Sequence, residues 1–317
     1  MLSLPGAAYL YQGEELGLPE VDDLPDEVIT DPIFHRTGNR KGIRDGCRVP
    51  PPAAVLLSSA EAVETENGQG RRRTGSGATL RHRGAGGGRR VAGIVFVSGL
   101  HADTTADHDR YAKLTGRQVP FVLINGYSEK IAAPFISPDD RAAMWMAVQH
   151  LVELGHETIG LAVGQKRYVP VLRKIEGFTA AVQQLTGRTP EQAEELVHHT
   201  LFSVEGGHAA AQALLDKGCT AIVCGSDMMA LGAIRAVRQR GLTVPQDVSV
   251  VGFDDSPLIA FTEPPLTTVR QPVEAMATAA VDALLEEVGG NPTQRSEFMF
   301  QPELVMRGST GAGPRNG

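Results

Sequence analysis

Long hydrophobic runs are missing from this chain. The longest, Val91 to Leu100, falls well short of the roughly 18 apolar residues that span a bilayer, and no charged-then-apolar leader opens the sequence. A cytoplasmic protein with no membrane partner is therefore expected. Cysteine is scarce as well: the three residues Cys47, Cys219 and Cys224 are odd in number, and no His or Cys completes a metal-ligand spacing around them. Buried free thiols are the expected outcome, with no metal and no cofactor. Net positive charge is also absent, and a formal charge of −7 argues against a chain that coats nucleic acid with its whole surface, although a local basic arm stays compatible with it. What is present is a soluble globular composition, 42% hydrophobic and 21% charged, in 317 residues that suffice for one large or two ordinary domains.

The chain changes character twice. Residues 1–52 are acidic and turn-rich, residues 53–90 lose all periodicity, and from Val91 to Gly317 strands and helices alternate. The first piece carries YQGEELG, from Tyr11 to Gly17, and RDGCRVP, from Arg44 to Pro50. These segments resemble the last barrel strand and following loop of the alpha-glucosidase and alpha-amylase family. Glycoside hydrolysis needs two carboxyl groups flanking one bond, and Glu14 and Glu15 are adjacent. In that family, however, the nucleophile and the acid come from earlier strands, which would precede Met1. The piece is expected to be irregular, with no catalytic residues and no hydrolase activity.

Between Arg71 and Arg90 lie seven arginines, no acid, abundant glycine and one bulky apolar residue, Leu80. Such a stretch cannot bury enough surface to offset its ordering entropy, so residues 53–90 are expected to be a disordered linker. A basic arm drawn to phosphates is the alternative, though no aromatics are interleaved and no helical spacing is present. The compositional break on both sides also admits a third origin, translation across a gene junction.

From Val91 the pattern is regular. VAGIVFVS is apolar throughout, as suits a parallel strand covered on both faces, and FVLIN (Phe121 to Asn125) closes a second unit. Ser137, Pro138, Asp139 and Asp140 start a helix with an acid-rich first turn, which stops at Gly155. TIGLAV, a helix from about Val169 to Leu185, a weak strand near Val197 to Leu201 and a helix from about Gly206 to Lys217 follow. The stretch Ala221 to Arg270 delivers Ser226 and Asp227 from one strand end and Asp254 and Asp255 from another. A helix from Val273 to Val288 and terminal strands in FMFQPELVMRG complete an α/β chain with parallel strands, expected in two sheets.

SDMMALGAIRAVRQRG followed by LTVPQDVSVVGFDDSPLIAFTEPPLTTVRQP resembles the C-terminal sensor of the LacI family of transcription regulators, over roughly Val91 to Gly308. The resemblance implies a type I periplasmic-binding-protein-like fold of two α/β subdomains closing on a small ligand, and dimerisation through the sensor. It also implies a ligand set. Asp254 takes the family's ligand-contacting acid, with a loop-capping carboxylate as the alternative. Ser226 and Asp227 fall on a ligand-contacting turn, yet Ser-Asp ahead of an apolar-periodic run is also an ordinary helix N-cap. Phe202 matches the aromatic platform, Gln271 lies beside the cleft, and Asn125 matches a position across it. Where the family usually places a clamping Arg this chain has Lys174, a mobile point charge that suits scattered hydroxyls better than a carboxylate or phosphate, and Arg173 could contribute instead.

KRYVPVLRKIEGF resembles maltose-type regulators of the family, and the first piece resembles an alpha-glucosidase, the enzyme such regulators control. The expected effector is an alpha-glucoside, maltose or a maltodextrin. The family begins with a helix-turn-helix and an initial strand-helix block, and neither pattern is visible before Val91. The expected protein is therefore a LacI-type sugar sensor whose operator-binding domain this sequence does not show. Its first subdomain is expected to be incomplete, with an unpaired strand edge and an uncovered apolar face. A stand-alone sugar-binding module is the alternative.

Overall fold

The computed structural model describes residues 54–58, 91–291 and 295–314. The alpha-amylase-like piece and the arginine cluster lie outside these residues. The elements are β1 (Ala54–Ser58), β2 (Val91–Val97), α1 (Asp109–Gly116), β3 (Phe121–Ile124), β4 (Phe135–Pro138), α2 (Asp140–Glu153), β5 (Ile159–Val163), α3 (Val169–Thr186), α4 (Pro190–Glu195), β6 (Val197–His199), α5 (Val204–Asp216), β7 (Ala221–Cys224), α6 (Asp227–Gln239), β8 (Ser249–Asp254), β9 (Thr267–Arg270), α7 (Val273–Val288), β10 (Glu297–Phe300) and β11 (Glu303–Val305). Two short 3₁₀ turns, Leu100–Ala102 and Ile259–Phe261, add to them.

Two sheets result, in the orders β1-β2-β3-β4-β10 and β11-β9-β8-β7-β5-β6. All pairings are parallel except the outermost β1 with β2 and β11 with β9. Strands β5 and β7 are buried along their whole length, as their unbroken apolar runs require when helices cover both faces. The chain passes between the sheets at three places: from β4 into α2, from β9 into α7, and from β10 into β11. The two terminal strands therefore separate, each completing a different sheet. The second lobe holds one large core built from α2, α3, α5, α6 and its sheet.

Two expectations for the first lobe are corrected. Residues 54–58, inside the stretch read as disordered, form β1 and pair with the outer edge of β2, because an open edge presents unpaired amides that an adjacent segment can bond. Nor is a face left bare. Met276, Ala280 and Leu284 of α7 pack on Val95, Val122 and Ile136, while Tyr111 of α1 packs on the other side against Phe96, Phe121, Leu123 and Phe135. Apolar residues alternating along β2 thus reach two separate helices.

Cys219 and Cys224 are buried free thiols. Burial pushes the Cys219 thiol up to about 11 and the Cys224 thiol further still. Because the thiolate is the reactive form, neither should be labelled by a maleimide near neutral pH in the folded chain while both react once it is unfolded. Mass spectrometry of the labelled peptides checks this, and native labelling of Cys224 would show that the end of β7 opens.

Candidate functional site

The segments after the carboxyl ends of β2 and β5 meet, Asp103 bridging to Tyr168, and the carboxyl ends of open parallel sheets are where ligands are placed. Backbone geometry marks these ends. Of the five non-glycine residues with positive φ among the described residues, four stand at strand ends here: Ser98 (+49°), Asn125 (+66°), Asp254 (+119°) and Asp255 (+58°). Such conformations persist only where the surroundings hold them, and they gather at ligand sites.

The two lobes also touch across the cleft. Thr104, beyond β2, donates both its amide and its hydroxyl to the Arg167 carbonyl, each at 2.8 Å. Nearer the crossovers, Arg173 of α3 grips Glu297 of β10 through both terminal nitrogens, at 2.6 and 2.7 Å.

Asp254 ends β8 and is open to solvent, yet protein surrounds most of its carboxyl group. Burial, aided by the charge of Asp227, pushes it up to about 6, against the opposing pull of Gln271 and Lys174. Gln271, in the β9–α7 crossover, donates Nε2 to Asp254 Oδ1 at 2.7 Å. The structure thus joins two residues that were singled out separately. Asp255 faces away from this pair: burial would raise it, but Arg270 and Arg307 outweigh that and hold it below the usual carboxylate range.

Phe202 sits between β6 and α5 with 49% of its surface exposed. Its ring lies against Gly164 and Gly225, just beyond β5 and β7. A methyl group added at Gly164 would overlap the ring, and one at Gly225 would come within 3.3 Å of it. The bare backbone of these two glycines is what lets the ring lie on the strand ends and keep its remaining surface open. Asn125, on the other lobe, donates Nδ2 to Ser98 Oγ at 3.3 Å.

The remaining candidates are engaged elsewhere. Ser226 caps α6, its hydroxyl accepting from the Met229 amide at 3.3 Å. Asp227 is buried and accepts from the Ser256 amide (2.7 Å), the Ser256 hydroxyl (2.5 Å) and the Thr268 hydroxyl (2.7 Å), so it ties α6 to the loop after β8 and to β9. Burial raises its carboxyl, and those hydrogen bonds pull it back. Ser226 thus displays the helix-start role, whereas Asp227 serves as a buried tie between α6, β9 and the loop after β8. Lys174 is buried, paired with Asp140 and lying 3.7 Å from the centre of the Phe253 ring. The alternative cation, Arg173, is held by Glu297. Sequence reasoning missed Asp140 and Glu297 as partners. Asp140 reads as an ordinary first-turn acid, and Glu297 lies 124 residues from Arg173, beyond any local spacing.

The chain is a two-lobed α/β domain, crossed three times and carrying an exposed aromatic ring and a carboxylate at its strand ends. A family model described as a periplasmic binding protein-like domain matches residues 148–310. The chain belongs to this periplasmic binding protein-like family. It is 70% identical over 222 residues to an uncharacterized HTH-type transcriptional regulator in the aml 5' region of Streptomyces limosus, covering 70% of this chain and 63% of that one. It is 67% identical over 227 residues to the HTH-type transcriptional regulator MalR of Streptomyces coelicolor, covering 71% and 66% respectively. The chain thus spans just under two thirds of the length of these relatives.

Among solved structures it is similar to a transcriptional regulator CelR–cellobiose complex, with 31% identity and TM-score 0.61 over 69% of this chain and 66% of that one. The lac repressor dimer bound to operator and the anti-inducer ONPF matches with 28% identity and TM-score 0.59, over 70% and 74%. These relatives and neighbours are regulators, not enzymes. The resemblance of residues 1–52 to the alpha-amylase family finds no support in the comparisons. No helix among the described residues is long and apolar enough to cross a membrane.

Proposed function

We propose that this chain is the sugar-sensing part of a LacI-type transcriptional regulator and that its effector is an alpha-glucoside, maltose or a maltodextrin. The observation that carries the reading is the pairing, on neighbouring strand ends, of a half-exposed aromatic ring with a carboxylate held by Gln271. A sugar presents an apolar ring face and many hydroxyls, and it needs an aromatic surface and strong acceptors in one place. The cations beside the cleft floor, Arg173 and Lys174, are both paired, which favours an uncharged ligand. The relation to a regulator named MalR points to maltose, and the cellobiose-bound neighbour shows that a related fold takes a disaccharide.

In this reading Asp254, Gln271, Phe202 and Asn125 contact the sugar, Lys174 and Asp227 set the charge around it, and Ser226 caps the helix behind it. Residues 91–317 act as the sensor, in the cytoplasm and as a homodimer, with no cofactor. Operator binding belongs to the helix-turn-helix of the whole regulators; specific DNA recognition by the described residues is not part of the proposal. Calorimetric titration of the chain with maltose, maltotriose, cellobiose and glucose tests the effector. Saturable heat with the alpha-linked sugars supports it, whereas binding of cellobiose alone, or of none, removes it. A gel shift on the regulator's own operator separates sensor from repressor: tight, sequence-specific binding by this chain would show that it reads DNA after all.

A further inference from the structure

Asp254 and Asp255 form a strained turn at the end of β8. Their φ angles, +119° and +58°, lie where residues with a side chain are rare, and two such residues in succession persist only where neighbours hold them. The holding groups stand on both sides. The Asp255 side chain is 9% exposed, and its two oxygens go to different arginines, Arg270 Nε at 2.6 Å and Arg307 Nη2 at 2.7 Å. From α6, Asp227 accepts both the amide and the hydroxyl of Ser256. The chain is thus clamped at residues 255 and 256, and Asp254, directly before them, is left to face Gln271.

The two arginines are not equivalent. Arg270 ends β9, keeps 46% of its side chain exposed and shares its guanidinium with Glu303. Arg307, just beyond β11, is more enclosed, and it also donates Nη1 to the Leu266 carbonyl at 2.8 Å and its amide to the Thr267 hydroxyl at 2.9 Å. The chain that follows it is fixed in turn. Gly308 donates its amide to the Pro265 carbonyl, and the buried Ser309 hydroxyl donates to the Val250 carbonyl at 2.6 Å while accepting from the Thr267 amide at 2.8 Å. Arg307 therefore reaches Asp255 from a segment anchored on β8 and β9, and that anchor cannot drift with the turn.

We infer that Arg307 is a positioning residue for the sugar: through Asp255 it holds the turn that presents the Asp254 carboxylate. The inference rests on the reading of the cleft as a sugar site. Arg307 acts through another residue, and no contact with the ligand is assigned to it. Without this ion pair, one half-exposed arginine shared with Glu303 holds Asp255. The turn then relaxes toward the negative φ that aspartate prefers, and the Asp254 carboxylate leaves its place beside Gln271.

The test is calorimetric titration of the full chain with maltose in four forms: unsubstituted, Arg307→Gln, Asp254→Asn and the two together. Arg307→Gln is expected to weaken binding about tenfold, the lower end of what losing the Asp254 contact would give. In the Asp254→Asn background the same substitution should cost about twofold or less, because no carboxylate is left for the turn to place. Arg307→Lys keeps a charge within reach of Asp255 but cannot serve the Leu266 carbonyl as well, so it should recover most of the lost affinity. Equal losses in the two backgrounds, no loss in a cooperatively melting Arg307→Gln, or no recovery with lysine overturns the inference while the sugar-site reading stands. If the unsubstituted chain does not bind maltose, that reading fails and the inference with it.

Should Arg307→Gln not fold, Asp255→Asn carries the test from the other end of the pair. It keeps an oxygen for one arginine and removes the charge that both arginines share. Its loss should again be about tenfold alone and about twofold or less beside Asp254→Asn. Equal losses in the two backgrounds, no loss at all, or a second failure to fold would leave these ion pairs a role in stability only, and would overturn the proposal.

Discussion

Asparagine in place of Asp254 is expected to weaken maltose binding about 10- to 100-fold, the loss that follows when a hydrogen-bond acceptor gives up its charge. The substitution keeps the shape and leaves an oxygen for Gln271, so thermal stability near neutral pH should not fall. pH adds a second signature. The carboxyl group is raised to about 6, so hydroxyl-accepting carboxylate becomes fully available only above that value, and maltose affinity should rise as pH climbs through about 6. The Asp254→Asn variant should lose that rise.

Stability should respond in the opposite sense. In the folded chain Asp254 holds its proton up to about 6, whereas an unfolded Asp releases it near ~3.9. Between these values the folded state binds more protons than the unfolded one, so this residue's contribution to stability falls as pH rises across that window. Calorimetric titrations and thermal melts across the window, with and without the substitution, check both signs. A pH-independent affinity in the parent chain would remove Asp254 from the sugar contacts.

The second large effect is structural. Gly232 on α6 and Gly207 on α5 face each other's helix at backbone distance: a methyl group at Gly232 would overlap the Val204 carbonyl oxygen, and one at Gly207 would overlap that of Met229. Backbone carbonyls inside helices cannot swing aside, so the helices must separate and open a core that includes Ala210, Ala211, Ala230 and Ala233. Gly232→Ala is expected to cost about 3 kcal/mol or more, a large share of a typical domain stability of about 5–15 kcal/mol. Chemical denaturation measures it directly. Gly116→Ala is the control, because nothing lies within 4 Å of that position, and it should be neutral or slightly stabilising. Equal losses in the two variants would show that the α5–α6 contact is looser than described.

The legible parts of this protein were those written in local pattern. Unbroken apolar runs such as IGLAV and AIVC announced central parallel strands, and Gly155 and Ser226 marked helix ends that the structure confirms. β1 was not legible, because its five residues become a strand only through the edge of β2 beside them. Much of the candidate site could be named and little of it understood. Asp254 and Gln271 were separate candidates until the β9–α7 crossover brought them to 2.7 Å. Lys174 was read as a donor to ligand, and only the arrival of Asp140, 34 residues earlier in the chain, shows where its charge goes.

By itself the sequence determined the class of fold, the strand ends that carry polar residues, and the absence of metal-ligand spacing. Each of these follows from neighbours within a few positions, where 2- and 3.6-residue periods and capping chemistry act. Tertiary structure alone decided which charges remain available to a ligand. Arg173 and Glu297, Lys174 and Asp140, and Asp227 and Thr268 are far apart in the chain, and Coulomb attraction depends on distance in space, which three passages between two sheets set and no local pattern records.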